Sequence, residues 1–527
     1  MAAALLWVLV SSACTEDRRL PEDAASARDV PGGDPCGLPA GYFERIRNGH
    51  DPTRSGNLQI VPEEPHFFGE WLSHSGPWPY LQRVPLLFLG PGVVPARGWI
   101  PAPATTADIA PTLAAMMGST FSAPDGRTLR AAIDDEAPSP RVAVVVVWDS
   151  VGVNVLESYP DAWPALRRLS EQGVWFDRAT VGTSPTTTGA VHATIGTGAW
   201  PRTHRRVGHQ YVSGGRIVES AKEGPADLEA WTLADHWDQE RGNRPLAGLV
   251  AFKAWHLGLL GHGSFLRGGD RDLAVTLDFE MGRWTLEPPD DAYFRPIPYA
   301  GEVDVPEQKI RDLDLEDGRL DGRWLGEPVL ERPDDLATTP AYAAWQTDLI
   351  QQMVRREGMG DDAITDLIFT NYNQPDLIGH RWSMNSPQME RAVRSLDEEL
   401  GRLVGFLDEE IGRGGWVLAL TADHGATPDP EVSGATILGL PALREAIGER
   451  FAPGEDPRGL VTAAAPNELW IDEARLLRDG ASLEDVAEHL RRLTIGDVMG
   501  PRAGDDASDP LLAAAFPSRA LGEHGCG

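Results

Sequence analysis

The chain has 527 residues, 42% hydrophobic and 24% charged, which is the balance of a globular protein and not of a disordered or fibrous one. Lys and Arg number 47 against 79 Asp and Glu, and the formal net charge of −32 excludes a nucleic-acid polymer as a general surface partner. Any anionic substrate must then be drawn in by local positive charge, which bound metal ions can supply.

At the N-terminus, Ala2 to Val10 is an apolar run too short to span a membrane. Ser11-Ser12-Ala13-Cys14 follows it, so residues 1–14 read as a signal peptide. They are also similar to a bacterial lipoprotein signal, in which Cys14 is lipidated, although no Lys or Arg precedes the run. The expectation is an exported protein whose only membrane contact is that lipid. Residues 15–40 are rich in Asp, Glu, Arg, Pro and Gly and lack periodicity, as a disordered tether does.

Residues 41–133 form a first folded segment, with a buried strand expected at Val84 to Leu89 and a short helix at Asp108 to Met117. Residues 134–140 are a polar, proline-bearing linker, and the main portion runs over 141–527. Val142 to Val147 has the apolar continuity of a parallel strand covered on both faces, and it ends in Trp148-Asp149. A helix is expected at Pro164 to Gln172. Leu367-Ile368-Phe369 reads as a second strand, leading through Thr370-Asn371-Tyr372 into a loop that carries Asp376. From Gln388 to Ile411 the apolar residues keep helical spacing. Trp416 to Ala422 is a third strand, ending in Asp423-His424, and helices are expected at Ala442 to Phe451 and Leu483 to Leu493. Strands alternating with helices predict an α/β fold around a mostly parallel sheet.

Open parallel sheets bind ligands beyond the carboxyl ends of their strands. Three apolar strands each deliver an Asp there: Asp149, Asp376 and Asp423. Two of these have a His nearby, His380 and His424. One such Asp is readily a helix cap. Three with two His form a donor set suited to zinc or a similar divalent metal. A second feature is Ser184-Pro-Thr-Thr-Thr188-Gly-Ala-Val-His192, a hydroxyl cluster opening a small-residue helix. Such a hydroxyl lies beside helix N-terminal amides, where anions bind, and a neighbouring metal lowers its pKa toward nucleophilic use. Thr186, Thr187 and Thr188 each offer such a hydroxyl.

Together, Asp149 after the valine strand, Thr188 four residues before His192, Asp376-x-x-x-His380 and Asp423-His424 resemble the type I phosphodiesterase/nucleotide pyrophosphatase branch of the alkaline phosphatase superfamily. The resemblance spans residues 141–430 and implies an alkaline-phosphatase-like fold and two divalent ions, expected to be Zn2+. It implies that Asp149, Asp423 and His424 hold one ion with the Thr188 oxygen, and that Asp376 and His380 hold the other. The family needs one more His, normally late in the chain. His524 is placed for it, but His74-Ser-Gly-Pro-Trp-Pro-Tyr80, followed by Val84-Pro85 and an apolar run, is similar to the family's segment after that ligand. Arg54 to Leu58 is similar to the strand before it, and Thr106 to Leu113 to the closing helix. Residues 41–133 therefore resemble the family's C-terminal part placed first, a circular permutation with 134–140 joining the old ends. The new ends, near residues 41 and 520, would be neighbours, and Cys36 and Cys526 could bridge them.

Departures fall in the substrate shell. His209 stands where the family often has an Asn against a phosphoryl oxygen. Lys253 is similar to a Lys used by phosphomonoesterase members, but Trp255 replaces the Arg expected with it. His256 and His262 follow, and Ser75 replaces a Gly. The resulting expectation is a hydrolase of small phosphate esters, of phosphodiesterase or pyrophosphatase type, working through a phosphothreonine. The alternatives are an alkaline phosphomonoesterase and, in another class, a non-catalytic metal-stabilised surface lipoprotein.

Overall fold

The structure is a computed structural model that describes residues 38–69, 71–220, 227–252, 260–261, 269–280, 283–287, 293–303, 307–330 and 333–522. The signal segment with Cys14, most of the tether with Cys36, and Lys253, His256, His262, His524 and Cys526 lie outside these residues.

Valines at 142 and 144–147 commit Val142–Trp148 to a strand buried at every position. It lies at the centre of a ten-stranded sheet. On one side run Asp366–Tyr372, Ala247–Ala251 and Asp272–Glu280, all parallel to it. Arg283–Glu287 closes that edge antiparallel, and Phe294–Pro296 pairs beside it. On the other side come Trp416–Thr421, parallel, then Leu86–Leu89, then Val174–Thr180 and Gly98–Thr105. Leu86–Leu89 is antiparallel to both of its neighbours. The sheet is thus mostly parallel as predicted, with a strand of the leading segment inserted against the grain.

The amphipathic helix Pro387–Glu410 buries Val393, Leu396, Leu400, Leu403 and Leu407 against one face of this sheet. On the other face Ile109–Met117 packs with Leu86, Phe88, Val145 and Val147. A smaller antiparallel sheet is ordered Val461–Ala465, Glu468–Ile471, Leu58–Pro62, Leu512–Pro517. A strand from residue 58 therefore sits between strands from the last seventy residues of the chain. The strand expected from Arg54 begins at Leu58, because Arg54 and Ser55 close a turn on Asp51. The helix Ala40–Gly49 sets Phe43 against Phe516, ring centroids 5.9 Å apart, so the two ends of the described chain are neighbours. Residues 134–140 carry no helix or strand.

Candidate metal centre and nucleophile

Asp149 follows the last residue of Val142–Trp148 and is fully buried. Its Oδ2 accepts hydrogen bonds from Asn371 Nδ2 (2.9 Å) and Asn373 Nδ2 (2.6 Å), which end the neighbouring strand. Asp423 leaves the parallel strand Trp416–Thr421 two residues beyond its end. Its Oδ1 accepts from the Ser150 amide at 3.1 Å, and that geometry places Ser150 in the left-handed region at φ 66°. Each carboxylate thus has one oxygen tied down by its surroundings and the other turned toward His424. The Nε2 of His424 lies 3.6 Å from Asp149 Oδ1 and 3.5 Å from Asp423 Oδ2.

The histidine ring is oriented from behind. His424 Nδ1 is 3.1 Å from the Gly425 carbonyl, which can only accept, so Nδ1 carries the hydrogen. Burial lowers the His424 pKa to about 4, so the ring is neutral and Nε2 presents a lone pair to two carboxylates. The same pattern recurs at His74. Its Nδ1 faces the Thr186 carbonyl at 3.2 Å, its Nε2 lies 3.4 Å from Asp376 Oδ1, and burial, then His424, lowers it to about 4. Lone pairs facing carboxylate oxygens repel unless a cation lies between them. Asp423 Oδ2 is buried and accepts no hydrogen bond among the described residues. Two donors on one tetrahedral zinc lie about 3.3–3.4 Å apart for bonds of roughly 2.0–2.1 Å. The spacings of 3.3–3.6 Å here suit that arrangement better than direct hydrogen bonding. The residues fit a metal, and two groups of donors converge: Asp149 with Asp423 and His424, and His74 with Asp376 and His424.

His380 joins the second group, its Nε2 3.3 Å from Asp376 Oδ1. Burial pushes the Asp376 carboxyl up, but His380 and His74 outweigh it and hold the group well below the usual range. Asp376 does not lie in a loop: Gln374–Trp382 is a helix, and Asp376 occupies its first turn with His380 one turn later on the same face. Pro375 at the helix start is the local reason. The His74 and His424 rings stack at 3.7 Å, which puts the two groups side by side.

Thr188 is the first residue of the helix Thr188–Thr197, buried at all ten positions. Its Oγ1 is 3.3 Å from His424 Nε2, so the hydroxyl faces the same centre. Thr186 is otherwise engaged. Its Oγ1 donates to the His74 carbonyl at 2.5 Å and receives the Gly76 amide at 3.3 Å. Thr186 thus ties the His74 turn to the segment that leads into the Thr188–Thr197 helix. Thr427 Oγ1 donates to the Ser73 carbonyl at 2.6 Å and ties that turn to the loop after His424. A small cleft opens among Leu72, His74, Ser150, Asp376, His380 and Thr427. His209 is exposed, and when protonated it lowers the His424 pKa further.

The sequence reading missed Asn371 and Asn373, which orient Asp149. Two Asn at alternate positions as a buried strand ends are the signal that was available. In the sequence His192 has significance only through its spacing from Thr188. The structure buries His192 completely, with Nε2 3.6 Å from Asp423 Oδ2.

Comparison with known proteins agrees with this geometry. The fold matches a crystal structure of alkaline phosphatase PafA with a TM-score of 0.51 at 19% identity, covering 68% of this chain and 77% of that one. By sequence the chain is similar to a protein named calcium-transporting ATPase from Myroides odoratus, 21% identical over 394 residues, 64% of this chain and 70% of that protein. It is also similar to alkaline phosphatase PafA from Elizabethkingia meningoseptica, 24% identical over 159 residues and 29% of each chain. A model of the type I phosphodiesterase / nucleotide pyrophosphatase family matches residues 143–493, which leaves out the segment 41–133. No helix among the described residues is long and apolar enough to cross a membrane. With the matched region holding the strand-end carboxylates and Thr188, the chain belongs to the type I phosphodiesterase / nucleotide pyrophosphatase family, carries an alkaline-phosphatase-like fold and is a phosphoric ester hydrolase.

Proposed function

We propose that the protein hydrolyses phosphodiesters or pyrophosphates of small molecules through a phosphothreonine on Thr188. Asp149, Asp423 and His424, with the Thr188 oxygen beside them, would hold one divalent ion; Asp376, His380 and His74 would hold the other. The mixed carboxylate and imidazole donors favour Zn2+. The observation that carries the reading is the Thr188 hydroxyl, 3.3 Å from His424 Nε2 at the mouth of a buried helix. Bound there, divalent ions lower the pKa of a coordinated hydroxyl and offset charge on the phosphoryl oxygens. Thr188 Oγ, its proton passed to solvent, attacks phosphorus in line, its P–O bond forming as the bond to the leaving alkoxide (diester) or phosphate (pyrophosphate) breaks, and the alkoxide takes a proton from water. Water then displaces Thr188 and restores the hydroxyl. The Asn371, Asn373 and Ser150 hydrogen bonds keep both carboxylates fixed throughout, so little reorganisation is needed during transfer.

A monoesterase reading has its own support: the matched structure is an alkaline phosphatase, and Lys253 suits a phosphomonoester. Hydrolysis rates with bis-p-nitrophenyl phosphate and p-nitrophenyl phosphate decide between them. Preference for the diester is expected; a large preference for the monoester would install the second reading.

We also propose that the chain is a permuted member of the family. The neighbouring ends at Phe43 and Phe516 support this, as does the family match leaving out residues 41–133. Export with lipidation at Cys14 and a Cys36–Cys526 bridge complete the proposal. Intact-mass measurement of the membrane-extracted protein tests the lipid, and a non-reducing peptide map tests the bridge. A soluble form with unprocessed residues 1–14, or two free thiols, would remove each in turn.

A further inference from the structure

A second group of carboxylates lies at the other edge of the large sheet. Asp272 opens the strand Asp272–Glu280, which runs parallel to Ala247–Ala251 and to the strands beyond it. It is therefore at the amino ends of the strands, whereas Asp149 is at the carboxyl end. Asp238 sits late in the helix Leu233–Arg241, whose chain turns back into Ala247–Ala251 at this same edge. Asp270 stands two residues before Asp272. One carboxylate oxygen from each of Asp238, Asp270 and Asp272 lies within 4.8 Å of the others.

Asp238 and Asp272 are 3% and 4% exposed, and the Oδ2 of each is buried without a hydrogen-bond partner among the described residues. Native structures rarely leave such atoms orphaned, and two in one place point to something that binds there. Burial first, then the other carboxylates, pushes Asp238 up to about 8 and Asp272 well above its ordinary value; Arg295 is the cation that opposes this at Asp272. Asp235 adds negative charge, but its own carboxylate caps the helix, receiving the Thr232 amide and hydroxyl at 2.8 Å each.

We propose that Asp238, Asp270 and Asp272 form a Ca2+ site that pins the helix Leu233–Arg241 to the strand Asp272–Glu280. The donors are all oxygen, with neither His nor Cys in the group, which selects a hard cation over zinc. Ca2+ takes six to eight oxygens at about 2.3–2.6 Å, so donors on one ion can lie up to about 5 Å apart. Asp270 is exposed, which leaves the outer side open to water ligands, as Ca2+ tolerates.

The test is equilibrium dialysis of the zinc-loaded full chain against radioactive calcium, with wild type, Asp270→Asn and Asp272→Asn. Zinc loading keeps calcium from reporting on the catalytic centre. Wild type is expected to take up a single ion per chain, and Asp272→Asn none. Asp270→Asn, an exposed change of nearly equal size, binds about tenfold or more weakly because a charged ligand is lost. Calcium also raises the melting temperature of wild type and not of Asp272→Asn. If Asp272→Asn does not fold, Asp270→Asn carries the test alone. No calcium on wild type, or uptake undiminished in the variants that fold, overturns the site.

Discussion

The candidate centre rests on a division of labour within each side chain. Asp149 gives Oδ2 to two asparagines and turns Oδ1 inward; Asp423 gives Oδ1 to the Ser150 amide and turns Oδ2 inward. His74 and His424 are likewise fixed through Nδ1 by backbone carbonyls. Partners of this kind commonly set metal affinity by about 10- to 100-fold. Asn373→Ala is therefore expected to weaken zinc binding by about that factor while leaving Thr188 in place, as competition with a chromophoric chelator would measure. Unchanged affinity would mean that Asp149 is held by other means. The strand-end Asp residues and Thr188 were legible because apolar strands and a hydroxyl-led helix have local signatures. His192 was in view but read only as spacing, because contact with Asp423, more than two hundred residues away, has no local signature.

Elements decide where these side chains point. The centre depends on a close approach between the loop after Trp416–Thr421 and the helix Pro79–Gln82. Gly425 donates its amide to the Leu81 carbonyl at 2.9 Å, and a Cβ there would meet the Tyr80 carbonyl oxygen at 1.9 Å. Gly425→Ala must push backbone from backbone, so it is expected to cost about 2–3 kcal/mol in urea unfolding and to lower turnover by displacing His424. A variant as stable and active as wild type would show that the approach is not needed. The strands and long helices were readable from periodicity, and Pro387–Glu410 begins and ends within a residue of its expected bounds. The helix around Asp376 was read as a loop because Asn373, Gln374 and Pro375 look like turn residues, although Pro suits the first turn of a helix. The antiparallel placement of Leu86–Leu89 follows from sheet neighbours distant in sequence, which no local pattern encodes.

For the whole molecule, the strand Leu58–Pro62 sits between Glu468–Ile471 and Leu512–Pro517, and His74 reaches a centre otherwise built from residues 149–424. A chain re-cut to start at residue 141, run through 522 into 41 by a short linker and end at 133 is expected to fold, bind metal and turn over like the parent. Loss of folding in that chain would contradict the permuted reading. Outside the centre the molecule also holds a buried histidine, His204, and a half-buried one, His50. Burial, then Arg206, lowers His204 to about 3, and burial lowers His50 to about 4. Their folded pKa values lie below the unfolded value of about 6.5, so the unfolded chain binds more protons, and the stability they contribute is present above pH about 6.5 and lost as pH falls to about 4 for His50 and about 3 for His204. His204→Gln is expected to lose stability less steeply than wild type over that window; an identical slope would show that His204 does not titrate on unfolding.

The most direct measurement is turnover of bis-p-nitrophenyl phosphate by the zinc-loaded protein, with bound zinc counted by mass spectrometry, for wild type, Thr188→Ala and His74→Ala. Wild type should turn over the ester. Thr188→Ala should keep its zinc and lose about six orders of magnitude in rate, as loss of a nucleophile does. His74→Ala should lose both zinc and rate. Full activity in Thr188→Ala, or full zinc and activity in His74→Ala, would contradict the account of a threonine nucleophile at a centre completed by the leading segment.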